Sequence, residues 1–331
     1  MTKNKILAVF ILTLSLNSCN TKQYYKIRGF TQGTTYSIIY KGSKNYESEI
    51  NDLLHQFDMS LSTYVDSSII SRINKNEKNV ETDELFEQFF EKSREVYNKS
   101  DGYFDITVAP LVNAYGFGFA KKSDVDSVLI DSIMTFVGME KTWMRNNQVI
   151  KSDSRVMIDG NAIAQGQSVD FIADFLIDQG VSNYLVEIGG EVRAQGINDH
   201  AETWRVGIDK PIDYSDEQNR SLQAIIRLKN KSLATSGNYR KFYEKDGVKY
   251  GHSINPKTGK PAMQSILSAT IIADDCMTAD AYATTCMVIG LEKSKVLLSK
   301  MKELDAYLIY TDPDDGSYQV FMTEGAKDMI E

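Results

Sequence analysis

Residues 184–194 read YLVEIGGEVRA, and this stretch decides the fold that we expect. Two short runs rich in β-branched and aliphatic residues flank the pair Gly189-Gly190. Glycine adopts the positive φ angles that tight hairpin turns require. We therefore interpret the stretch as two antiparallel strands joined by a hairpin, and its turn is also a candidate border of a pocket.

Helical periodicity dominates the sequence before this hairpin, and strand-like runs dominate after it. Apolar residues recur every three or four positions in segments 46–57, 66–74, 84–97, 124–136, 164–179 and 291–301, which predicts helices. Strand-like runs occupy 36–40, 149, 156–158, 184–188, 204–208, 224–228, 267–272, 306–310 and 318–322. This distribution favours an α+β fold, with mixed or antiparallel sheets and packed helices, over a doubly wound parallel sheet.

The first residues predict an export signal. A basic start precedes an apolar run over residues 6–16, and Ser18-Cys19 follows. A basic start, a short apolar run and a small residue before the cleavage point are typical of a secretory signal. The cysteine after that point further predicts a lipoprotein signal peptide in residues 1–18, a lipidated Cys19 and a tether over 19–27. We therefore expect an exported bacterial lipoprotein that is anchored to a membrane and faces the periplasm.

Composition limits the nature of the remaining chain. Removal of 18 residues from the 331 would leave 313, with a single large domain expected over residues 28–331. A net charge of −8 and the absence of a basic cluster argue against binding to nucleic acid. Besides Cys19, only Cys276 and Cys286 are present, and they form either a disulfide or two buried thiols.

Four stretches interrupt the periodic pattern with Gly, Asp, Asn, Ser and Thr, and these are the candidate functional segments. They begin at residues 102, 159, 235 and 280, and the third continues into the loop GHSINPKTGKP over residues 251–261. His252 in this loop is one of only three histidines. An imidazole titrates near neutrality, which suits proton transfer or metal ligation. The alternative is a histidine that only hydrogen-bonds the turn.

Two of these stretches suit an anion and a metal ion. Residues 159–166 precede an amphipathic helix, whose free N–H groups can receive a phosphate, although a plain helix start capped by Asp159 or Asn161 is the alternative. Asp280 and Thr284 lie four residues apart on one helical face, and their oxygens suit Mg²⁺. The alternative for Asp280 is an ordinary position near a helix start.

Other side chains are candidates for contacts with a ligand. Arg240 is suited to bidentate binding of a phosphate, with a surface arginine as the alternative. Tyr64, Tyr103, Phe104 and Tyr115 are candidates for stacking on a planar ring, with ordinary core packing as the alternative.

The order of the motifs is more specific than any one of them. After the lipoprotein signal, the chain carries motifs at residues 62–69, 101–111, 159–166, 187–191, 235–239, 252–259 and 279–281. This series resembles the ApbE family of FAD:protein FMN transferases, over nearly the whole chain after the signal. The resemblance implies a T-fold-like α+β fold that holds FAD in a cleft with Mg²⁺ at its pyrophosphate. It also implies transfer of FMN to a Thr or Ser hydroxyl of a partner protein, with release of AMP.

The resemblance also implies roles for individual residues. His252 would assist deprotonation of the accepting hydroxyl. The implied FAD contacts are Gln32, Tyr64, Tyr103, Phe104, Asp105, Asp159, Gln165 and Ile254, to which we add Arg240 as the candidate phosphate ligand. The implied metal site comprises Asp280, Thr284, an oxygen at Ala162 and the position of Ala283.

Three positions depart from the family pattern. Gln32 replaces a typical Met, Gln165 replaces Lys or Glu, and Asn255 replaces the Asp of a His-x-Ile-Asp-Pro motif. We interpret these changes as tuning of FAD binding and of the orientation of His252.

Two further functions remain open, namely hydrolysis of FAD to FMN and AMP, and flavin binding without catalysis. A structural surface lipoprotein is a third alternative. By resemblance, an acceptor would be a subunit of a sodium-translocating or Rnf-type complex or an extracytoplasmic reductase.

Overall fold

The computed structural model describes residues 22–118, 125–211, 221–238, 242–245, 248–251, 253–262, 265–312 and 314–331, with backbone alone at 242–245 and 248–250. The predicted signal peptide, Cys19, Arg240 and His252 lie outside these residues. In the part of the chain that is described, no helix is long and apolar enough to cross a membrane.

An eight-stranded antiparallel sheet forms the centre of the molecule, in the order β1-β2-β5-β6-β9-β14-β15-β16. The strands are β1 Gln23–Thr31, β2 Thr34–Gly42, β3 Thr142–Arg145, β4 Gln148–Lys151, β5 Tyr184–Ile188, β6 Glu191–Gln195, β7 Trp204–Asp209, β8 Leu222–Leu228, β9 Lys231–Gly237, β10 Phe242–Lys245, β11 Val248–Gly251, β12 Ile254–Asn255, β13 Lys260–Pro261, β14 Ile266–Ala273, β15 Asp305–Thr311 and β16 Tyr318–Met322. The predicted hairpin is present, because β5 pairs antiparallel with β6 and Ile188 lies opposite Glu191.

The helices are α1 Glu47–Leu61, α2 Ile69–Asn74, α3 Glu84–Lys99, α4 Ala109–Ala114, α5 Ser127–Met134, α6 Ala164–Asp178, α7 Cys276–Ile289, α8 Leu291–Lys300 and α9 Glu324–Met329, with short 3₁₀ turns at Ile106–Val108 and Met139–Lys141. Each of the six predicted helices is present. Capping side chains set several of their starts, such as Ser68 before α2 and Asp83 before α3.

The central strands of the sheet are covered on both faces. Val169, Ile172 and Leu176 of α6 pack on Ile38 and Val186, and α7 packs beside them on β9 and β14. On the opposite face, the hairpin of β7 and β8 places Trp204, Ile208, Ile226 and Leu228 against Val192, Leu233 and Ile272. This layered arrangement confirms the predicted α+β fold, and it fixes α6 and α7 side by side on one face.

One predicted boundary and one predicted strand are wrong. Strand β1 begins at Gln23 and pairs with β2 from that residue onward, so the sheet includes residues 23–27 that we assigned to the tether. Residues 156–158 form no strand. The side chain of Asn74 replaces a neighbouring strand there, since Ile158 donates to its Oδ1 at 2.7 Å and accepts from its Nδ2 at 2.8 Å.

Cys276 and Cys286 are buried free thiols, as the second alternative predicted. Both lie on α7, ten residues apart, which separates their Cα atoms by roughly 15 Å along the helix axis. A disulfide requires Cα atoms within about 7 Å, so this pair cannot form one.

Candidate active site

Helices α6 and α7 meet at a carboxylate and a glycine. The backbone N–H of Gly166, in the first turn of α6, donates to Oδ2 of Asp280 at 3.0 Å. The cap position of α6 is Ile163, which makes no side-chain capping hydrogen bond, so the alternative of a plain helix start capped by Asp159 or Asn161 does not hold. Instead, a carboxylate from α7 occupies the positive end of the α6 dipole.

Gly166 permits this close approach because it has no side chain. A Cβ at this position would lie 2.4 Å from the Cys276 carbonyl oxygen and 2.8 Å from Cβ of Asp280. Distances this short force the two helices apart, and α7 cannot yield easily, because it is buried along almost its whole length.

We therefore expect Gly166→Ala to lower the free energy of unfolding by about 1–3 kcal/mol, the usual cost of overpacking a core. Urea unfolding measures this loss. Gly207→Ala is a matched control, since its Cβ would meet only the exposed side chain of Leu222. Equal effects of the two substitutions would contradict the proposed contact between the helices.

The predicted metal ligands come from α7 and from the turn before α6. Thr284 lies one turn after Asp280 on α7, and its hydroxyl is 3.1 Å from that of Ser236 at the end of β9. Ala162 lies in the turn that leads into α6. Ala283 does not offer a metal ligand. Its side chain is a methyl group, and its carbonyl lies inside α7, where it accepts a hydrogen bond of the helix backbone.

The residues present fit a hard divalent cation. Burial raises the pKa of Asp280 well above its usual range, opposed by the Gly166 hydrogen bond, and no cationic side chain compensates it in the described chain. A bound cation would supply that compensation. No three His, Cys, Asp or Glu side chains cluster among the described residues, so the other ligands must be hydroxyl, carbonyl, phosphate or water oxygens.

Polar groups from the β1–β2 turn also reach the start of α6. Gln32 lies in a two-residue turn with a positive φ of 52°, and its Oε1 accepts from the Ser168 hydroxyl at 3.3 Å. Its Nε2 is buried and has no hydrogen-bond partner in the described structure. A buried donor without a partner is costly, so Gln32 is a good candidate for contact with a bound ligand.

Gln165 is held by the predicted hairpin. Its Nε2 donates to the Ile188 carbonyl at 3.3 Å, and a Cβ at Gly189 would overlap that nitrogen at 1.7 Å. The Gly189-Gly190 turn, with φ angles of 65° and 107°, therefore lies against Gln165 at the start of α6.

A cavity of about 450 Å³ adjoins the start of α6. Asp159 and Asn161 line it on one side, and Tyr64, Asn113 and Phe117 line it on others. Tyr64, whose ring is exposed, and Asp159 therefore line the same cavity. Burial raises the pKa of Asp159, opposed by the hydrogen bond from the Asn161 N–H at 2.9 Å.

Tyr103 lies apart from this cavity. The Nζ atoms of Lys257 and Lys293 lie 4.3 and 4.6 Å from its ring centroid, and Lys293 donates to its hydroxyl at 2.7 Å. Lys257 also pairs with Asp101. Tyr103 therefore contacts both α8 and the turn after Asn255, and its ring packs on the ammonium groups of Lys293 and Lys257.

Three residues that we expected to contact FAD have side chains that are buried in apolar clusters or already hydrogen-bonded. Phe104 and Ile254 are 2% and 5% exposed and belong to apolar clusters. Asp105 accepts from the N–H and hydroxyl of Thr107 at 2.7 and 2.6 Å and from the Met139 N–H at 3.1 Å. Its carboxylate thus holds the loop together.

The pKa of Asp105 provides a test of this structural role. Burial raises it to about 6, with the three hydrogen bonds opposing the shift. The folded state therefore retains a proton that the unfolded state, with a pKa of about 3.9, has released, so this group's contribution to stability falls as pH rises from about 4 to 6. In urea unfolding we expect Asp105→Asn to destabilise the protein by about 2 kcal/mol more at pH 4.5 than at pH 7.

The exposed Asp131→Asn serves as the control for this comparison. An Asp105→Asn penalty that does not change with pH would contradict a raised pKa in the folded state.

The loop that carries His252 is anchored on one side by Asn255. Its Oδ1 accepts from the Lys257 N–H at 2.9 Å, and its carbonyl accepts from Gly259 at 2.9 Å. An Asp at this position could accept the same bond, so Asn255 preserves the turn and carries one negative charge fewer, three residues after His252 in the sequence.

Sequence reasoning missed the roles of Gly166 and Ser168. Gly166 is the last residue of the motif at residues 159–166, and Ser168 follows two positions later. We had assigned a contact to neither residue. The small residues at the start of α6 were the available signal, because a glycine in a first helical turn often marks a close approach of two backbones.

The chain matches the family model described as ApbE family over residues 32–308. It is 34% identical to the FAD:protein FMN transferase of Vibrio cholerae, over 95% of each chain, and 31% identical to that of Escherichia coli K12, over 92% of this chain and 88% of the relative. Both relatives carry the name of the predicted enzyme class, which confirms that the chain is a transferase of this kind.

Solved structures agree. The flavin transferase ApbE from Vibrio cholerae superimposes with a TM-score of 0.82 at 32% identity, covering 93% of this chain and 99% of that one. The apo form of the Pseudomonas stutzeri flavinyl transferase ApbE gives 0.82 at 27% identity, covering 93% and 97%. The chain therefore belongs to the ApbE family.

Proposed function

We propose that this protein transfers the FMN portion of FAD to a Thr or Ser hydroxyl of a partner protein, with Mg²⁺ bound and AMP released. The observation that carries the proposal is the Asp280 carboxylate at the start of α6, beside the Thr284 hydroxyl. An uncompensated buried carboxylate beside an open helix start suits a cation together with a phosphate.

The groups around this point suit a dinucleotide. The N–H groups of Ile163 and Ala164 donate to the Gly160 carbonyl at 3.1 and 2.8 Å, so those of Ala162 and Gln165 are the backbone donors that suit the pyrophosphate. The unpartnered Nε2 of Gln32 offers a further donor. Tyr64 and Phe117 line the adjoining cavity and suit stacking on a planar ring. Mg²⁺, held by Asp280, Thr284 and an oxygen at Ala162, would neutralise charge on the pyrophosphate.

His252 would act as the general base. It takes the proton of the acceptor hydroxyl, whose oxygen then forms a bond to the phosphorus of the FMN portion. The bond from that phosphorus to the bridging oxygen of the pyrophosphate breaks, and AMP leaves with that oxygen. The N–H groups at the start of α6 stabilise the negative charge that develops.

The lipoprotein assignment is part of the proposal. Strand β1 begins at Gln23, four residues after Cys19. Four residues reach at most about 14 Å, so a lipid at Cys19 would hold the folded domain against the membrane surface. An acceptor subunit of a sodium-translocating or Rnf-type complex, or an extracytoplasmic reductase, would then present its hydroxyl close to that surface.

One incubation tests the reaction class. The protein lacking residues 1–18 is mixed with FAD, Mg²⁺ and a Thr-containing acceptor, and the acceptor is examined for fluorescence and for the mass of FMN. An adduct supports transfer. Free FMN without an adduct would favour a hydrolase, and neither product would favour a flavin carrier.

A further inference from the structure

A second cavity lies beside α6, and its lining does not include Gly166 or Asp280. It has a volume of about 730 Å³ and is bounded by α1, α3, α6 and the start of α7. Its lining carries seven carboxylates and two basic side chains. We call it the acidic groove, and its charged rim includes Asp83, Glu84, Glu91, Glu95, Asp174 and Asp275.

The two basic residues of the acidic groove already have partners. Arg193 contacts Asp170 at 3.0 Å and Asp174 at 2.9 Å. Lys92 contacts Glu95 at 3.3 Å. Glu95 also contacts Lys99 at 2.8 Å. The seven carboxylates of the groove still outnumber these three cationic side chains of the described chain.

Two carboxylates of α3 are without a cationic partner among the described residues. Glu84 accepts only from the amide of Gln88, at 3.2 Å, and Glu91 is exposed. They are seven residues apart, so they lie on the same face of the helix at a spacing of about 10 Å. Both line the acidic groove.

The floor of the groove holds an acceptor that lacks a donor. Gln167 lines the groove and is only 3% exposed. Its Nε2 donates to the Leu85 carbonyl at 2.8 Å, which fixes the orientation of the amide. Its Oε1 is buried with no hydrogen-bond partner in the described structure. A buried acceptor of this kind requires an N–H or O–H donor.

A bare metal ion does not fit this arrangement. The described residues contain no cluster of three His, Cys, Asp or Glu side chains that would hold one, so the groove carboxylates are too dispersed to chelate a point charge. A chain of cationic N–H donors satisfies separated carboxylates and an amide oxygen together.

We propose that the acidic groove binds a lysine- or arginine-bearing segment of a partner protein, with one ammonium or guanidinium group donating to Oε1 of Gln167 and others pairing with Glu84 and Glu91. This assignment does not depend on flavin transfer. A free polyamine carries the same chemistry, and the experiment separates the two sources.

Isothermal titration calorimetry at physiological ionic strength tests the proposal with tetralysine peptide, spermidine and MgCl₂ as separate probes. We expect saturable binding of the peptide and none of Mg²⁺ at the groove. Glu84→Gln with Glu91→Gln should weaken peptide binding about tenfold or more, and Gln167→Leu should do the same, since a charge-assisted hydrogen bond is worth about a factor of ten or more.

Asp131→Asn with Asp328→Asn is the matched control, because it removes two exposed acidic charges elsewhere on the surface. Peptide binding weakened equally by this control would show a general charge effect and overturn the site. Failure of the peptide and spermidine to bind would also overturn it and would assign Oε1 of Gln167 to water. Tighter binding of spermidine than of the peptide would overturn the protein segment as the ligand.

Discussion

Asp280→Asn is expected to lower the rate of FMN transfer by about 10²- to 10³-fold, the loss that typically follows removal of one electrostatic group from a reacting centre. Asparagine keeps the shape of aspartate, and its Oδ1 can still accept from the Gly166 N–H. What the substitution removes is the charge. Because this carboxylate is the anionic member of the proposed metal site, the variant should also require much more Mg²⁺.

Stability measurements separate this effect from unfolding. The raised pKa of Asp280 shows that burial disfavours its charged form, so the neutral asparagine should leave the thermal midpoint of the ligand-free protein unchanged or raise it at pH 8. Asp274→Asn is the matched control, since its carboxylate pairs with Lys231 at the surface and should leave transfer unaffected. Near-normal transfer by Asp280→Asn at low Mg²⁺ would exclude the carboxylate from the metal site.

Local patterns were sufficient where neighbours along the chain decide the structure. The Gly189-Gly190 hairpin follows from a turn that only small, flexible residues adopt easily, and the common face of Asp280 and Thr284 follows from helical spacing. The Tyr64 and Asp159 contacts with one cavity came from the resemblance, which supplied the spatial relation that spacing cannot.

The remaining features depend on contacts between distant segments. Helix α7 is buried on nearly every side, so it lacks the one-sided apolar stripe that reveals a helix, and only part of it was recognised. Strand β1 is an exposed edge strand without regular alternation, so its start was assigned to the tether. The bond between Gly166 and Asp280 joins residues 114 positions apart.

Asp105 shows a different limit of prediction from a sequence motif. It lies two residues from Tyr103 in one motif, and the resemblance assigned both to FAD. The structure uses its carboxylate to join Thr107 to Met139 instead. A motif records that a residue type is needed at a position, but the direction of the side chain depends on the surrounding fold.

His252→Ala is expected to bind FAD normally and to transfer FMN about 10²- to 10⁴-fold more slowly, the usual contribution of a general base. The described residues on both sides of His252 have roles of their own. Gly251 is buried at the end of β11, where a Cβ would lie 2.5 Å from Oδ1 of Asn238, and the Ser253 carbonyl accepts from Ala262 at 2.8 Å. Loss of the imidazole should therefore leave the loop's anchors in place.

The pH profile gives the decisive measurement. A base must be neutral to take a proton, so transfer by the unaltered protein should decline at acidic pH as the imidazole of His252 becomes protonated. In His252→Ala, the decline of transfer at acidic pH should disappear, and most of the transfer rate should be lost as well. His200→Ala is the matched control, because the His200 side chain is highly exposed and its Nε2 lies 3.8 Å from Oδ1 of Asp199. If His252→Ala kept this decline at acidic pH, the titrating group would be another residue, and if it kept the wild-type rate, His252 would not be the base.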